Sequence, residues 1–198
     1  MVSFEEYKNW INKYINNHDT REINFQNDVV KRLLEKLFSE YDIVSVDTKC
    51  CESKRHNYYA YSGEYIDAKN KAKPTTPDLL VCQNWDWYNT DNNNIKYIST
   101  IEVKSPYSTQ AIYKKTVDEY SYELKTKIKR HLSAEKINKV ILTDTLSWVF
   151  FDGMYDVSDT ISLVNRIAKG RGYTYEWRRD AENIFKDNLI NKLVKFLK

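Results

Sequence analysis

The chain has 198 residues, of which 41% are hydrophobic, 30% charged and 14% aromatic. This length suits one domain with a sizeable core, and the apolar content excludes disorder as the dominant state. No stretch approaches the roughly 18 apolar residues of a membrane-spanning helix, and three cysteines make a poor disulfide framework. We therefore expect a cytoplasmic globular protein with no membrane partner.

The N-terminal part of the chain is predicted to contain two amphipathic helices. Ser3 opens a capping-box pattern, and apolar residues at helical spacing predict a helix over 3–16. A second helix starts near residue 19 or 20 and carries a long apolar stripe that ends at Leu37. A short strand is expected over 42–47, followed by an irregular or hairpin excursion over 51–76.

The rest of the chain is predicted to alternate strands and helices. The expected elements are a long-looped hairpin of runs 78–82 and 96–103, a helix with an apolar stripe over 113–128, strands at 139–143 and 148–151, and a C-terminal helix over about 176–197. This pattern predicts a mixed α/β fold in a single domain, 1–198, with a central mixed β-sheet flanked by helices.

Three charged residues bracket the predicted hairpin. Because the start of the first strand of an antiparallel pair lies opposite the end of the second, Asp78 is expected to face the segment from Glu102 to Lys104. Side chains alternate along a strand, so Glu102 and Lys104 should project to one side, with Ile101 and Val103 toward the core. Two carboxylates and an amine are therefore expected to meet.

Such a group suits a hard divalent cation. Asp78 and Glu102 would supply oxygen ligands, and Lys104 would help to deprotonate or orient a water, or offset charge that builds on phosphorus. These roles together describe phosphodiester hydrolysis. The alternative is a solvated strand face with cross-strand ion pairs, which needs no metal.

The residues Pro77-Asp78 and Glu102-Val103-Lys104 match the motif of the PD-(D/E)XK nuclease superfamily. Their surroundings resemble most the N-terminal nuclease domain of type I restriction enzyme motor subunits and related small nucleases. Those domains carry a Thr-Asp-x-x-x-Trp-type segment, which matches Thr143 to Trp148 here. The resemblance covers a core of about 19–152.

The resemblance implies a restriction-endonuclease-like core, a DNA substrate and dependence on Mg²⁺, with Mn²⁺ as a substitute. It implies the catalytic residues Asp78, Glu102 and Lys104, with Glu22 as an accessory acid on the preceding helix. A role in restriction, genome defence or DNA processing follows by analogy. The helicase motor of those subunits is missing here, so we expect no bound nucleotide cofactor and either a homodimer or a separate motor or specificity subunit.

Two residues near the motif have open interpretations. Glu22 lies on the apolar stripe, where a carboxylate would need a cation, but it also fits as the capping-box partner of Asp19. Gln26, one turn later, is the substitute candidate for the accessory role of Glu22. Related subunits often carry Gln-x-x-x-Tyr after the motif lysine; here Gln110 precedes Tyr113 by one residue too few, so Gln110 is only a candidate.

The basic residues could contact DNA. Residues 104–139 contain nine Lys or Arg and four Asp or Glu. The net charge of this segment, +5, exceeds the net charge of the whole chain, which is +3. The candidate DNA contacts are Gln110, Lys114, Lys115, Lys125 and Lys73. The alternative for the lysines is an ordinary solvated surface.

The second functional hypothesis is a catalytically silent nuclease fold that binds DNA or protein, as an adaptor or a phage anti-defence protein. A weaker third hypothesis is RNA or flap processing.

Overall fold

A computed structural model describes residues 2–46, 58–87, 94–153, 155 and 157–198. Within these ranges the chain forms a six-stranded mixed β-sheet flanked by helices, together with two separate two-stranded hairpins. The predicted mixed α/β class is therefore confirmed. In this described part, none of the helices is long and apolar enough to cross a membrane.

The helices are α1 (Phe4–Asn16), α2 (a continuous helix made of Glu22–Phe25, the π-helical Gln26–Lys31 and Arg32–Leu37), α3 (Tyr58–Ser62), α4 (Tyr122–Leu132) and α5 (Ala181–Asn183, the π-helical Ile184–Ile190 and Asn191–Leu197). Two 3-10 turns, Ile112–Lys114 and Val117–Glu119, precede α4. The strands are β1 (Asp42–Ser45), β2 (Glu64–Ile66), β3 (Ala72–Pro74), β4 (Leu79–Gln83), β5 (Lys96–Val103), β6 (Lys139–Thr143), β7 (Ser147–Asp152), β8 (Val157–Ser162), β9 (Val164–Lys169) and β10 (Gly172–Trp177).

Helix α1 forms where its cap and its apolar periodicity predict it. The Ser3 side chain accepts a hydrogen bond from the backbone N–H of Glu6 at 3.1 Å, which satisfies one of the unpaired amides of the first turn. One stripe of the helix is buried in the main core and consists of Tyr7, Trp10, Ile11 and Tyr14. This burial, more than intrinsic propensity, stabilises the helix.

The sheet has the order β1-β4-β5-β6-β7-β8. Every neighbouring pair is antiparallel except β5 and β6, which are parallel and are joined by a crossover that contains α4. Six strand termini meet at one edge, because Leu79 pairs with both Ser45 and Ile101, Val103 pairs with Thr143, and Ser147 pairs with Ser162. We refer to this edge as the motif end of the sheet.

The two faces of the sheet bury different residues of β5. Ile101 and Val103 lie fully buried in the core shared with α1, α2 and α5. Glu102 pairs with Leu142, so it lies on the opposite face, where Leu142 packs with residues of α4. The alternation predicted for β5 is therefore correct, and it turns the motif carboxylate toward α4.

The helix predicted over 113–128 is wrong in its first half. Its apolar stripe extends through two 3-10 turns, and α4 begins only at Tyr122. Side chains hold the earlier backbone in other conformations, since Asp144 accepts from the N–H of Tyr113, and Thr116 closes a capping box around the second turn. Local hydrogen bonds of this kind compete with helix formation.

The C-terminal region also differs from expectation. The final helix begins at Ala181, whereas residues from about 176 were predicted to be helical and Trp177 instead ends β10. The strands β8, β9 and β10 were not predicted, because their alternation is irregular and most of their side chains are exposed. Residues 47–57 and 88–93 fall outside the described ranges, so the predictions there are not compared.

Candidate active site

Asp78 lies just before β4 at the motif end of the sheet, as the hairpin prediction required. Its backbone N–H donates to the carbonyl of Ile101 at 3.1 Å, and its carboxylate accepts from the N–H of Val103 at 2.7 Å. Burial, and secondarily the nearby charge of Glu102, raise the pKa of Asp78 to about 7, although Lys127, Lys104 and the Val103 N–H act against this shift. The carboxyl therefore titrates near neutral pH.

Glu102 is almost completely buried and lies between two ammonium groups. Its Oε1 accepts from Nζ of Lys104 at 2.7 Å, and Nζ of Lys127 lies 2.6 Å from its Oε2. Burial alone would raise the pKa of Glu102, but the two lysines outweigh it and hold the pKa below its ordinary value. The carboxylate is ionised, as a buried charge with paired partners can be.

Lys104 brings the strand ends and α2 together. Its Nζ donates to Glu102, to the carbonyl of Val103 at 2.8 Å and to Oε1 of Glu22 at 3.4 Å. Burial lowers the pKa of Lys104, but the charges of Glu102, Asp78 and Glu22 more than reverse this and raise it. The ammonium therefore stays protonated, which fits a role in offsetting negative charge better than a role as a base.

Glu22 occupies the first turn of α2, and its surroundings argue against the capping-box interpretation. Asp19 does not cap this helix, since its carboxylate pairs with Arg21 at 2.7 Å and the N-cap Arg21 makes no side-chain cap bond. Glu22 instead reaches Lys104 with a side chain that is 41% exposed. Gln26, one turn later, donates to the backbone carbonyl of Asp78 at 2.9 Å and so supports the motif strand.

Lys127 was predicted only as one of the basic residues within 104–139 that could contact DNA, not as a member of the site. Its position on α4 places it over the β5 face that carries Glu102. Nearby on the same helix, the fully buried His131 has Nδ1 2.7 Å from the carbonyl of Ser62. Burial lowers the pKa of His131 to about 4, so this ring is neutral. In the sequence, Lys127 is one of several basic residues on this helix. Only the packing of α4 on the sheet distinguishes it from the others.

The segment from Thr143 to Trp148 forms the turn between β6 and β7. The fully buried Asp144 accepts three backbone N–H groups, from Leu146, Ser147 and Tyr113, at 2.8–3.1 Å. Burial raises the pKa of Asp144 to about 6, against the opposing effect of those bonds. The backbone carbonyl of Thr143 also accepts from the backbone N–H of Lys104 at 2.8 Å, so this turn positions the end of β5.

In the described residues, none of the candidate DNA contacts is bonded to the side chains of Asp78, Glu102 or Lys104. Lys114 donates to the carbonyl of Ser108 at 3.0 Å, and Lys125 donates to that of Asp118 at 2.7 Å. Lys73, on β3, has its Nζ 3.9 Å from Asp67. Gln110 is half-buried and donates its backbone N–H to Ser108, and Lys115 is half-buried beside Glu119.

The donor set at the motif consists of oxygen atoms. The carboxylate of Glu102 and the carbonyl of Val103 both accept from the Lys104 ammonium, and the carboxylate of Asp78 accepts from the Val103 N–H beside them. In the residues that the structure describes, there is no group of three or more His, Cys, Asp or Glu side chains arranged to hold a metal ion. The sequence matches no protein-family model, and it has no significant match to a curated protein or to a solved structure.

Proposed function

We propose that this protein is a metal-dependent DNA endonuclease of the PD-(D/E)XK type. The observation that carries the proposal is the buried pair of Glu102 and Lys104 at the end of β5, with the carboxylate of Asp78, from the adjacent strand end, bonded to the N–H of Val103 between them. A surface ion pair would not need a fully buried carboxylate, because exposed pairs form without the cost of desolvation. Burial with several charged partners is more typical of reactive centres.

The oxygen donors fit a hard divalent cation. Asp78, Glu102 and the Val103 carbonyl would hold Mg²⁺, or Mn²⁺ in its place, once the ammonium groups move off these oxygens. Such an ion, when bound, activates water and stabilises charge on a phosphate. Because the pKa of Asp78 is about 7, ion binding at lower pH must release a proton from it.

Each side chain of the site has a distinct role in this proposal. Lys104 supplies a fixed positive charge for the phosphate, since its raised pKa keeps it protonated. Glu22 orients that ammonium from α2. Gln26 and the turn at Asp144 hold the two strand ends in register. Asp78 is the group whose ionisation sets the lower pH limit of metal binding.

The wider role follows from the same proposal. We propose restriction, genome defence or DNA processing in the cytoplasm, where the buried free thiol of Cys82 suits a reducing compartment. A second copy of the chain would allow cleavage of both strands, and a separate motor or specificity subunit is the other arrangement.

A second candidate function is a catalytically silent nuclease fold that binds DNA or protein. The observation that favours it is the pairing of both Glu102 oxygens with lysines, which already neutralises the carboxylate without a metal. In that case the cluster serves only the stability and the shape of the motif end of the sheet.

Cleavage of supercoiled plasmid and linear duplex with Mg²⁺ or Mn²⁺ tests the two candidates. The variants are Asp78→Asn and Lys104→Gln, and Lys195→Gln, an exposed position on α5, is the matched control. Loss of cutting by more than a hundredfold in both site variants, but not in the control, supports the nuclease. A folded wild-type protein that cuts no substrate with either metal favours the silent module.

A further inference from the structure

The β9–β10 hairpin leaves the sheet at the motif end. It begins at Val164, two residues after Ser162, which pairs with Ser147 at that edge. Strands β9 and β10 pair only with each other, so the hairpin is a separate two-stranded ribbon. Every residue from Asn165 to Tyr173 is exposed. The ribbon therefore extends from the same edge of the molecule as the motif carboxylates.

The base of the ribbon is fixed to the segment that follows the motif. Tyr175 packs edge-on against Tyr113, with ring centroids 5.4 Å apart. Arg166 donates to the carbonyl of Lys114 at 2.9 Å and lies 3.7 Å from Glu119. The guanidinium of Arg166 also covers the ring of Tyr173, 4.5 Å from its centroid. These contacts hold the ribbon in one orientation relative to the turn that carries Lys114.

A cavity of about 450 Å³ separates the tip of the ribbon from this turn. Three cationic side chains, Lys114, Lys115 and Arg171, line it together with a single carboxylate, that of Glu119. The ring of Tyr173 and the hydroxyl of Thr109 complete its wall. The excess of positive charge and the aromatic wall suit an anionic ligand with a planar part.

The tip itself adds positive charge that is not neutralised locally. In the described part of the chain, the side chain of neither Lys169 nor Arg171 makes a hydrogen bond or an ion pair. Gly170 and Gly172 alternate with them, and no atom lies within 4 Å of where a Cβ would stand at either glycine. A phosphate backbone can therefore approach the main chain of the tip without obstruction.

We propose that the β9–β10 ribbon and this cavity bind the phosphate backbone of duplex DNA, and this proposal rests on the nuclease function proposed above. Duplex DNA fits the observations because its major groove admits a two-stranded β-ribbon. The cavity residues at the base of the ribbon would contact the flanking phosphates. Such contacts fix the position of the duplex rather than its sequence.

The test is the binding of a labelled 20-base-pair duplex, measured by fluorescence anisotropy over a series of salt concentrations without divalent metal. The tip variant is Lys169→Ala/Arg171→Ala, and Lys186→Ala/Lys195→Ala on α5 removes the same charge elsewhere. We expect the tip variant to bind about tenfold more weakly near 0.1 M salt, with the salt slope reduced by about two. The control should match the wild type.

Four outcomes separate this inference from the proposed nuclease activity. Equal weakening in both double variants, or none in the tip variant, overturns the inference. Tighter binding of single-stranded DNA or of duplex RNA also overturns it. If the tip variant binds the duplex as tightly as the wild type and cuts plasmid normally, the inference fails and the nuclease stands. If the tip-dependent duplex binding is found without any cleavage, the inference stands and only the catalytic proposal fails.

Discussion

Nζ of Lys127 lies 2.6 Å from Oε2 of Glu102 and so connects α4 to the end of β5. With Lys104 on the other oxygen, the buried carboxylate has an ammonium on each side. A divalent ion at Glu102 would therefore compete with Lys127, whose side chain is 30% exposed and has room to move toward solvent. The pair gives the metal-free protein a counter-ion in place of the cation.

Replacing Lys127 with Met should separate the two effects of this pair. Without metal, the free energy of unfolding is expected to fall by about 1–3 kcal/mol, because Glu102 keeps only one buried partner. With Mg²⁺ the loss should shrink, and half-saturation should occur at a lower metal concentration than in the wild type. Chemical denaturation with and without Mg²⁺ measures both changes.

Lys129→Met is the control for this variant, since Lys129 is on the same helix but its Nζ lies 5.1 Å from the ring centroid of Tyr155 and pairs with no carboxylate in the described residues. It should change stability by no more than about 0.5 kcal/mol. An unchanged metal requirement in Lys127→Met would contradict the competition between the lysine and the ion.

The titration of Asp78 should make both stability and metal affinity depend on pH. Its folded pKa of about 7 lies above the ordinary carboxyl value, so the folded state holds a proton that the unfolded state has lost. The wild type should therefore lose stability relative to Asp78→Asn as pH rises from 5 to 8, by at most about 1.4 kcal/mol per pH unit. Other groups, such as Asp144 and His131, titrate in both proteins and cancel in the comparison.

Metal affinity should change in the opposite direction. Because the ion needs ionised Asp78, the apparent Kd for Mn²⁺ should fall as pH rises from 6 to 7, by up to tenfold, and then level off. Isothermal titration calorimetry in buffers of different ionisation enthalpy would also detect the released proton. A Kd that is constant from pH 6 to 8 would rule out Asp78 as the titrating ligand.

Glu22→Gln should affect activity much more than stability. The carboxylate is 41% exposed, so its pair with Lys104 at 3.4 Å should contribute less than about 0.5 kcal/mol to folding. Loss of this negative charge weakens the hold on the ammonium that the proposal places at the phosphate, and we expect about a tenfold lower cleavage rate at saturating substrate. Glu35→Gln, an exposed change on the same helix, is the control and should leave the rate unaltered.

Gly63 is required where α3 meets the end of α4. Its φ is +75°, and a Cβ there would lie 1.8 Å from the carbonyl oxygen of Arg130. Gly63→Ala should therefore destabilise the fold by about 3 kcal/mol or more, since both partners are backbone. Gly170, with φ +59° and open space around it, provides the matched control. Gly170→Ala should cost only the left-handed strain of about 1 kcal/mol, and thermal unfolding measures the difference.

Local sequence pattern is sufficient to predict some elements of this fold. Helix α1 and the β4–β5 hairpin follow from a cap, a period of 3.6 and a period of 2, and all three signals lie within a few residues. The same hairpin logic brings Asp78 opposite the end of β5, where its carboxylate bonds the N–H of Val103. By contrast, the stripe through Tyr113 did not produce a helix, because a residue 31 positions away accepts its N–H.

The sequence alone predicts the mixed α/β class, the hairpin that joins the two motif segments and the alternation that separates Glu102 from the core residues beside it. It left the role of Glu22 open, and it did not distinguish Lys127 from the other lysines of its helix. The contacts of both residues with the motif depend on the tertiary structure, because α2 and α4 approach β5 from segments far away in the chain. Which side chain reaches a buried carboxylate depends on how helices pack on the sheet, and no local period carries that information.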